Sequence, residues 1–383
     1  MDMIQGKAKL EAAIHAGRST AMGLIERLHN ELPEDQLAKG SALRFGTRVS
    51  TPKPFAGFGA PGEHLAAKSD DLPELVMGVG DKGMRIHKHA LSQLATRAGV
   101  PGSYLAELAI GPEWQRKLAA GILNEHFHQG NATQRFLVRA VRGMARGVMS
   151  DKYRRLDNRP MVDALAKAAQ TIGAEPYSGT FSDVRVALKL IIPRVYLAGN
   201  DVVAFGLEWG NSDFGASRNY LRAFFLRLEC LNGAKSDNSL AQVHLGRAIS
   251  DDIELSQRTM DYDTKTTISA MSDVVNALLA PAKIEAQVAQ VNAAAAKGAD
   301  KATLRAQLGK RVTKGEAERI IAAFESNDVV NLPAGDTQWR ASNAVSWIAG
   351  QKDIDADRRL DLERLAGEFI TGTREREDVA DAA

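Results

Sequence analysis

Cysteine is almost absent: the chain of 383 residues has one, Cys230. No internal disulfide and no cysteine-cluster zinc site can form, a usage that fits a reducing compartment. Long apolar runs are missing as well. No window reaches the ~18 apolar residues a membrane span needs, and the opening MDMIQGKAKLEAAIHAGRS has acids and no apolar stretch of signal-peptide length. The expectation is a cytoplasmic protein. Familiar catalytic signatures are lacking too: without HExxH, GxSxG or GxxxxGK[ST], zinc-peptidase, serine-hydrolase and P-loop readings have no support. Nor does one sign of charge dominate, since 49 basic side chains face 47 acidic ones for a net +2. A chain-wide polyanion binder is often more basic than this.

What is present is local. The segment RFLVRAVRGMARGVMSDKYRRLDNRP, residues 135–160, places Arg135, Arg139, Arg142, Arg146, Lys152, Arg154 and Arg155 against the single acid Asp151 before position 156. Six net positive charges on a β-hairpin leading into a helix point to an anionic partner; the competing account is a run of solvated strand and turn positions.

Periodicity orders the rest. Leu10, Ile14, Met22, Ile25 and Leu28 predict two short helical segments that break near Gly17, within an N-terminal helical arm over residues 1–50. A Pro-, Gly- and Ser-rich stretch predicts a linker at 51–71, followed by a core domain at 72–252, a helical C-terminal region at 253–370 and a disordered tail at 371–383. In the core, Val184, Val186, Leu188, Leu190 and Ile192 alternate with Arg185 and Lys189; VVAFGLEW and RAFFLRLEC repeat that period of two. With the 135–149 hairpin they predict one largely antiparallel sheet, covered by a helix that starts near Pro160 and carries Met161, Leu165, Ala168 and Ile172. The fold class is α+β. Further on, helices are expected along Ile268 to Leu278, after the capping box Thr313-x-x-Glu316, at 339–349 and at 355–370.

Three motifs favour structural roles. Gly78, Gly80 and Gly83 spell GxGxxG, but Asp81-Lys82-Gly83 reads as a tight turn between strands, so no nucleotide cofactor is expected. Residues 89–108 have helix-turn-helix spacing, yet Ser103, Ala106 and Glu107 on the second helix supply no basic reader of bases. The pairs His87/His89 and His126/His128, and the acids Asp251, Asp252, Glu254, Asp261 and Asp263, lack a completed ligand set, so no metal is expected.

Binding is the function that remains. Arg139, Arg185, Lys189 and Arg227, with Tyr153, Tyr220 and Phe225, supply cations for phosphates and rings for bases, the ingredients of a single-strand platform. SRNYLRAFFLR adds Arg218 and Arg222 in a second basic-aromatic segment.

The run MSDKYRRLDNRP, with IHKHALSQLATRAGVPGSYL, KLIIP, GNSDFGASRNYLRAFFLRLECLNGAKSD, His244-Leu-Gly-Arg247 and WRASNAVSWIAG, resembles the phage- and plasmid-borne family known as domain of unknown function 932 over roughly residues 75–370. Leu231 stands where related chains tend to have threonine. The resemblance implies a mobile-element setting near recombination and replication, without a defined reaction. The residues matching the family pattern, Ser150, Asp151, Tyr153, Arg154, Asp157, Asn158, Asn232, Gly233, His244 and Arg247, form a candidate site; Asp157 or Asn158 alternatively caps the next helix. The resulting expectation is a single-stranded-DNA-binding or annealing accessory, with homo-oligomers allowed. Two alternatives are an enzyme on nucleic acid or nucleotide around Asp151, Asp157 and His244, and a protein-protein module that inhibits host defence.

Overall fold

The computed structural model describes residues 1–48, 74–229, 231–235, 240–241, 256–326 and 331–372. They form two compact units, one of residues 31–154 with the tetrapeptide Asp213–Ala216, the other of residues 1–30, 155–212 and 217 onward. The sequence boundaries run differently. Residues 1–50 are not one arm, because the first helix belongs to the larger unit and the strands after it to the smaller; the expected 51–71 linker and the tail from 373 lie outside the described residues.

Helix α1 (Met3–Asn30) is continuous where a break at Gly17 was expected. The glycine serves packing: a Cβ there would sit 1.8 Å from the Tyr177 carbonyl oxygen, so only glycine lets the helix lie so close to that strand.

In the smaller unit, β1 (Glu34–Lys39), β2 (Leu43–Arg48), β3 (Glu74–Val79) and β4 (Lys82–Ile86) precede α2 (Lys88–Ala98), α3 (Gly102–Ile110) and α4 (Glu113–Glu125). Strands β5 (Arg135–Val141) and β6 (Met144–Ser150) complete a sheet of order β1-β5-β6-β4-β3-β2, antiparallel except between β4 and β6. The GxGxxG glycines lie on the β3–β4 hairpin, whose turn is Gly80-Asp81, one residue earlier than expected, with Gly80 at φ +57°. Met77, Met84, Phe136, Val138 and Val148 pack with Leu91, Leu94, Leu105, Leu108 and Leu123. Each such buried chain contributes roughly 1.5–3 kcal/mol. The helix-turn-helix spacing is used for this core: Gly99, left-handed at φ +66°, ends α2, and Leu105 and Leu108 of α3 point inward.

The larger unit adds α5 (Asn158–Thr171), then β7 (Glu175–Phe181), β8 (Val186–Ala198), β9 (Asp201–Asn211), β10 (Tyr220–Arg227), β11 (Asn232–Lys235) and the short β12 (Leu240–Ala241). Its sheet, β11-β10-β9-β8-β7, is antiparallel throughout, with β12 against β10. The fold is α+β as expected, but the hairpin and the three long strands lie in two sheets rather than one. Helices α6 (Gln257–Leu278), α7 (Pro281–Ala296), α8 (Lys301–Leu308), α9 (Lys314–Glu325), α10 (Gln338–Ala349) and α11 (Ala356–Thr371) follow, and the Thr313/Glu316 capping box opens α9.

Both faces of this sheet are covered. Val186, Leu188, Leu190, Leu207 and Trp209 pack with Met161 and Leu165 of α5 and Met271 and Val275 of α6. Ile191, Val202, Ala204, Phe224 and Leu226 pack with Leu10 and Ile14 of α1. Phe205 and Phe225 join the core of α7 to α11. Among the described residues no helix is long and apolar enough to cross a membrane.

Candidate nucleic-acid interface

The basic hairpin is the β5–β6 pair. Phe136, Val138 and Ala140 face the helical core, so the period of two puts Arg135 and Arg139 on the other face. Arg142 and Gly143 form the two-residue turn, both left-handed at φ 51° and 74°, the geometry that joins strands of native twist. Asparagine or glycine is usual at such a position; an arginine there is held at a conformational cost. The register passes from Arg139↔Gly147 to Ala140↔Ala145, which leaves Arg146 as the extra residue of a β-bulge.

Each of these cations has an acidic neighbour. Arg139 is 1% exposed; its Nε donates to Asp35 at 2.7 Å and its Nη1 to the Asp213 carbonyl at 2.8 Å. Arg135 lies 3.8 Å from Asp151. Glu31 is shared, with one oxygen 3.3 Å from Arg142 and the other 3.5 Å from Arg146, whose guanidinium also sits 5.8 Å from the Phe214 ring centre. The Arg142 side chain nevertheless stays 72% exposed.

The Ser150–Asn158 run divides between the units at Arg154 and Arg155. In the smaller unit the Ser150 carbonyl accepts from the Tyr153 N–H at 3.0 Å; Lys152 is exposed, Tyr153 and Arg154 half-buried. In the larger, Arg155 is half-buried, Asp157 takes the N-cap position of α5 without a side-chain cap bond, and Asn158 is buried. Asn232 and Gly233 lie on β11, whereas Cys230, His244 and Arg247 fall outside the described residues, as do Asp251, Asp252 and Glu254. The histidines serve the fold: His87 caps α2, His89 bonds the Phe214 carbonyl at 3.0 Å and His128 the Leu43 carbonyl at 2.7 Å.

The expected stacking platform is corrected by the larger unit. Phe225, 1% exposed, packs edge-on to Phe205 in the core, so its ring is closed to a base. Arg227 is buried against Asp201 at 2.7 Å and the Asn331 carbonyl. Arg185 lies 3.3 Å from Asp361 and 3.9 Å from Asp357 on α11. Arg222 is buried over the Tyr220 ring, 4.4 Å from its centre. Lys189 is buried as well.

Lys189 belongs to a group that sequence reasoning missed. The register sets Lys189 beside Glu208 and Glu208 beside Arg222, on one side of the sheet. Glu363 of α11 closes the group: Lys189 Nζ reaches its two oxygens at 2.7 and 2.8 Å, and Lys235 Nζ lies 3.1 Å from Glu363 and 2.8 Å from Glu208. Burial alone would lower the Lys189 ammonium, but Glu363 and Glu208 outweigh it and hold it above its ordinary value. Burial would likewise raise the Glu363 carboxyl, and Lys189 and Lys235 hold it below. Tyr220 donates to Glu208 at 2.8 Å; burial first, then that carboxylate, pushes its hydroxyl well up. Two ammoniums facing two carboxylates, with a phenol that stays protonated, make a lock rather than a proton-transfer device. The one signal in the sequence was a glutamate on the polar side of VVAFGLEW, opposite in sign to Lys189.

No family model, no curated protein and no solved structure matches the chain.

Proposed function

We propose that the smaller unit binds nucleic acid through its β5–β6 hairpin, with single-stranded DNA as the ligand and an accessory role in recombination or replication. The segregation of charge carries the reading. Residues 31–154 with Asp213–Ala216 hold seventeen basic and thirteen acidic side chains, a surplus of four in a chain whose whole surplus is two, so the remaining residues carry a deficit of two. Arg142 at the exposed tip and Arg146 on the bulge share one carboxylate, Glu31, which a phosphate replaces at the fork. Exposed Lys152 extends the track, and half-buried Tyr153 offers an aromatic ring for stacking beside it.

The enzyme alternative draws less from the geometry, because Asp151 lies 3.8 Å from Arg135 as its ion-pair partner. Labelled single-stranded and duplex oligonucleotides titrated across a salt series test the proposal. Affinity for the single strand is expected to exceed that for duplex and to fall steeply with salt; Arg142→Asn should lower the salt slope by about one phosphate contact. Because asparagine tolerates the left-handed turn, the same variant should be at least as stable as the parent. Absence of binding at low salt, or an Arg142→Asn protein with unchanged affinity, overturns the reading.

A further inference from the structure

Helix α4 turns Arg116, Ala119, Ala120 and Leu123 inward. Its outer face carries Trp114, 63% exposed, and Leu118 one turn on, while Ile110 at the end of α3 is 86% exposed. Trp114 and Leu118 stand one turn apart on this face, and exposed large apolar chains that adjoin one another mark a contact surface. Gly121 is exposed on that same outer face, and among the described residues nothing lies within 4 Å of the place its Cβ would take. A glycine inside an exposed helix weakens it, and no neighbour among the described residues calls for this one. Lys117 pairs with Glu113 at 2.7 Å, so this turn of the ridge offers one charge of each sign.

We propose that this face is a two-fold contact between two copies of the chain, α4 packing antiparallel on α4. An axis near residue 116 brings Trp114 against Leu118 of the second copy, Ile110 against Gly121 of the second copy, and Glu113 against Lys117 of the second copy. Symmetry repeats each pairing, as a self-complementary surface requires. The glycine is then the hollow that admits isoleucine, and the ion pairs rim an apolar centre built on tryptophan, the residue type that most often dominates such contacts.

Sedimentation equilibrium of the full chain, over a concentration series reaching about 100 μM, tests this. The parent is expected to dimerise, Trp114→Glu to be a folded monomer by circular dichroism, and Gly121→Leu to dimerise about tenfold more weakly while melting no lower than the parent, since leucine favours helix. Glu113→Lys alone should weaken the dimer, and Glu113→Lys with Lys117→Glu should restore it, because the double exchange keeps every cross-pair attractive. A monomer at every concentration, or a dimer that none of these changes affects, overturns the proposal.

Discussion

Breaking the buried tetrad should cost more one charge at a time than as a pair. In the parent, Lys189 and Lys235 face Glu208 and Glu363, with contacts of 2.7 to 3.8 Å. Lys189→Met leaves two carboxylates on one lysine; Glu363→Met leaves two lysines on one carboxylate. Each variant strands a buried charge, at about 3–5 kcal/mol, a large share of the 5–15 kcal/mol that holds a typical domain. The double variant keeps Lys235 with Glu208 at 2.8 Å and replaces the other pair by apolar volume, which is often neutral. With a urea dependence of about 3 kcal/mol per molar, each single variant should lower the midpoint by about 1 M or more, and the double variant by less than either. The assay is tryptophan fluorescence in a Trp114→Phe background, where the remaining tryptophans, Trp209, Trp339 and Trp347, all report on the larger unit. If the double loss equals the sum of the two single losses, the four groups are not coupled and the ion-pair account fails.

Two further outcomes follow from packing and titration. The Arg358 guanidinium, at 2.6 and 2.7 Å, holds the Glu316 carboxyl at about 2 against an ordinary 4.5; burial opposes it, and the Thr313 cap helps. A depressed carboxyl stabilises fully above pH 4.5 and loses that contribution as pH falls toward 2; after discounting for solvent screening the loss is about 1–2 kcal/mol. Urea midpoints from pH 6 to 2.5 should therefore fall less steeply for Glu316→Gln than for the parent, and parallel curves would refute the assignment. On α1, Gly17→Ala should destabilise by several kcal/mol because its Cβ meets the Tyr177 carbonyl; Gly23→Ala, with nothing within 4 Å among the described residues, should stabilise by up to ~1 kcal/mol. Thermal melts that move both variants the same way would contradict that packing.

Much of the architecture was legible in the chain because short-range patterns set it. The period of two in VRVALKLIIP and RAFFLRLEC gave the long strands, and Thr313-x-x-Glu316 gave a helix start that the structure realises. The period cannot say what lies over a polar face. Arg185 and Lys189 read as solvent-facing cations, and a helix about 170 residues later brings Asp361 and Glu363 onto them. The same limit put Phe225 on a platform when its ring belongs to the core, and it hid Glu31 and Asp35 as partners of the basic hairpin. At Gly17, propensity argued for a break, whereas the approach of another strand kept the helix whole.

The order in which the chain leaves the ribosome gains a consequence from α1. This helix is made well before its partners, since the strand it rests on begins at Glu175 and the helix that seals the tetrad at Ala356. At about 5–20 residues per second, α1 waits roughly ten to thirty seconds for β7 and about as long again for α11. Meanwhile residues 31–154 have already emerged and can fold, all but their borrowed tetrapeptide. Synthesis thus brings out most of the smaller unit while the larger one is unfinished, so α1 spends that first interval without the strands it packs on and the sheet spends the second without α11, the intervals in which chaperone capture is most needed.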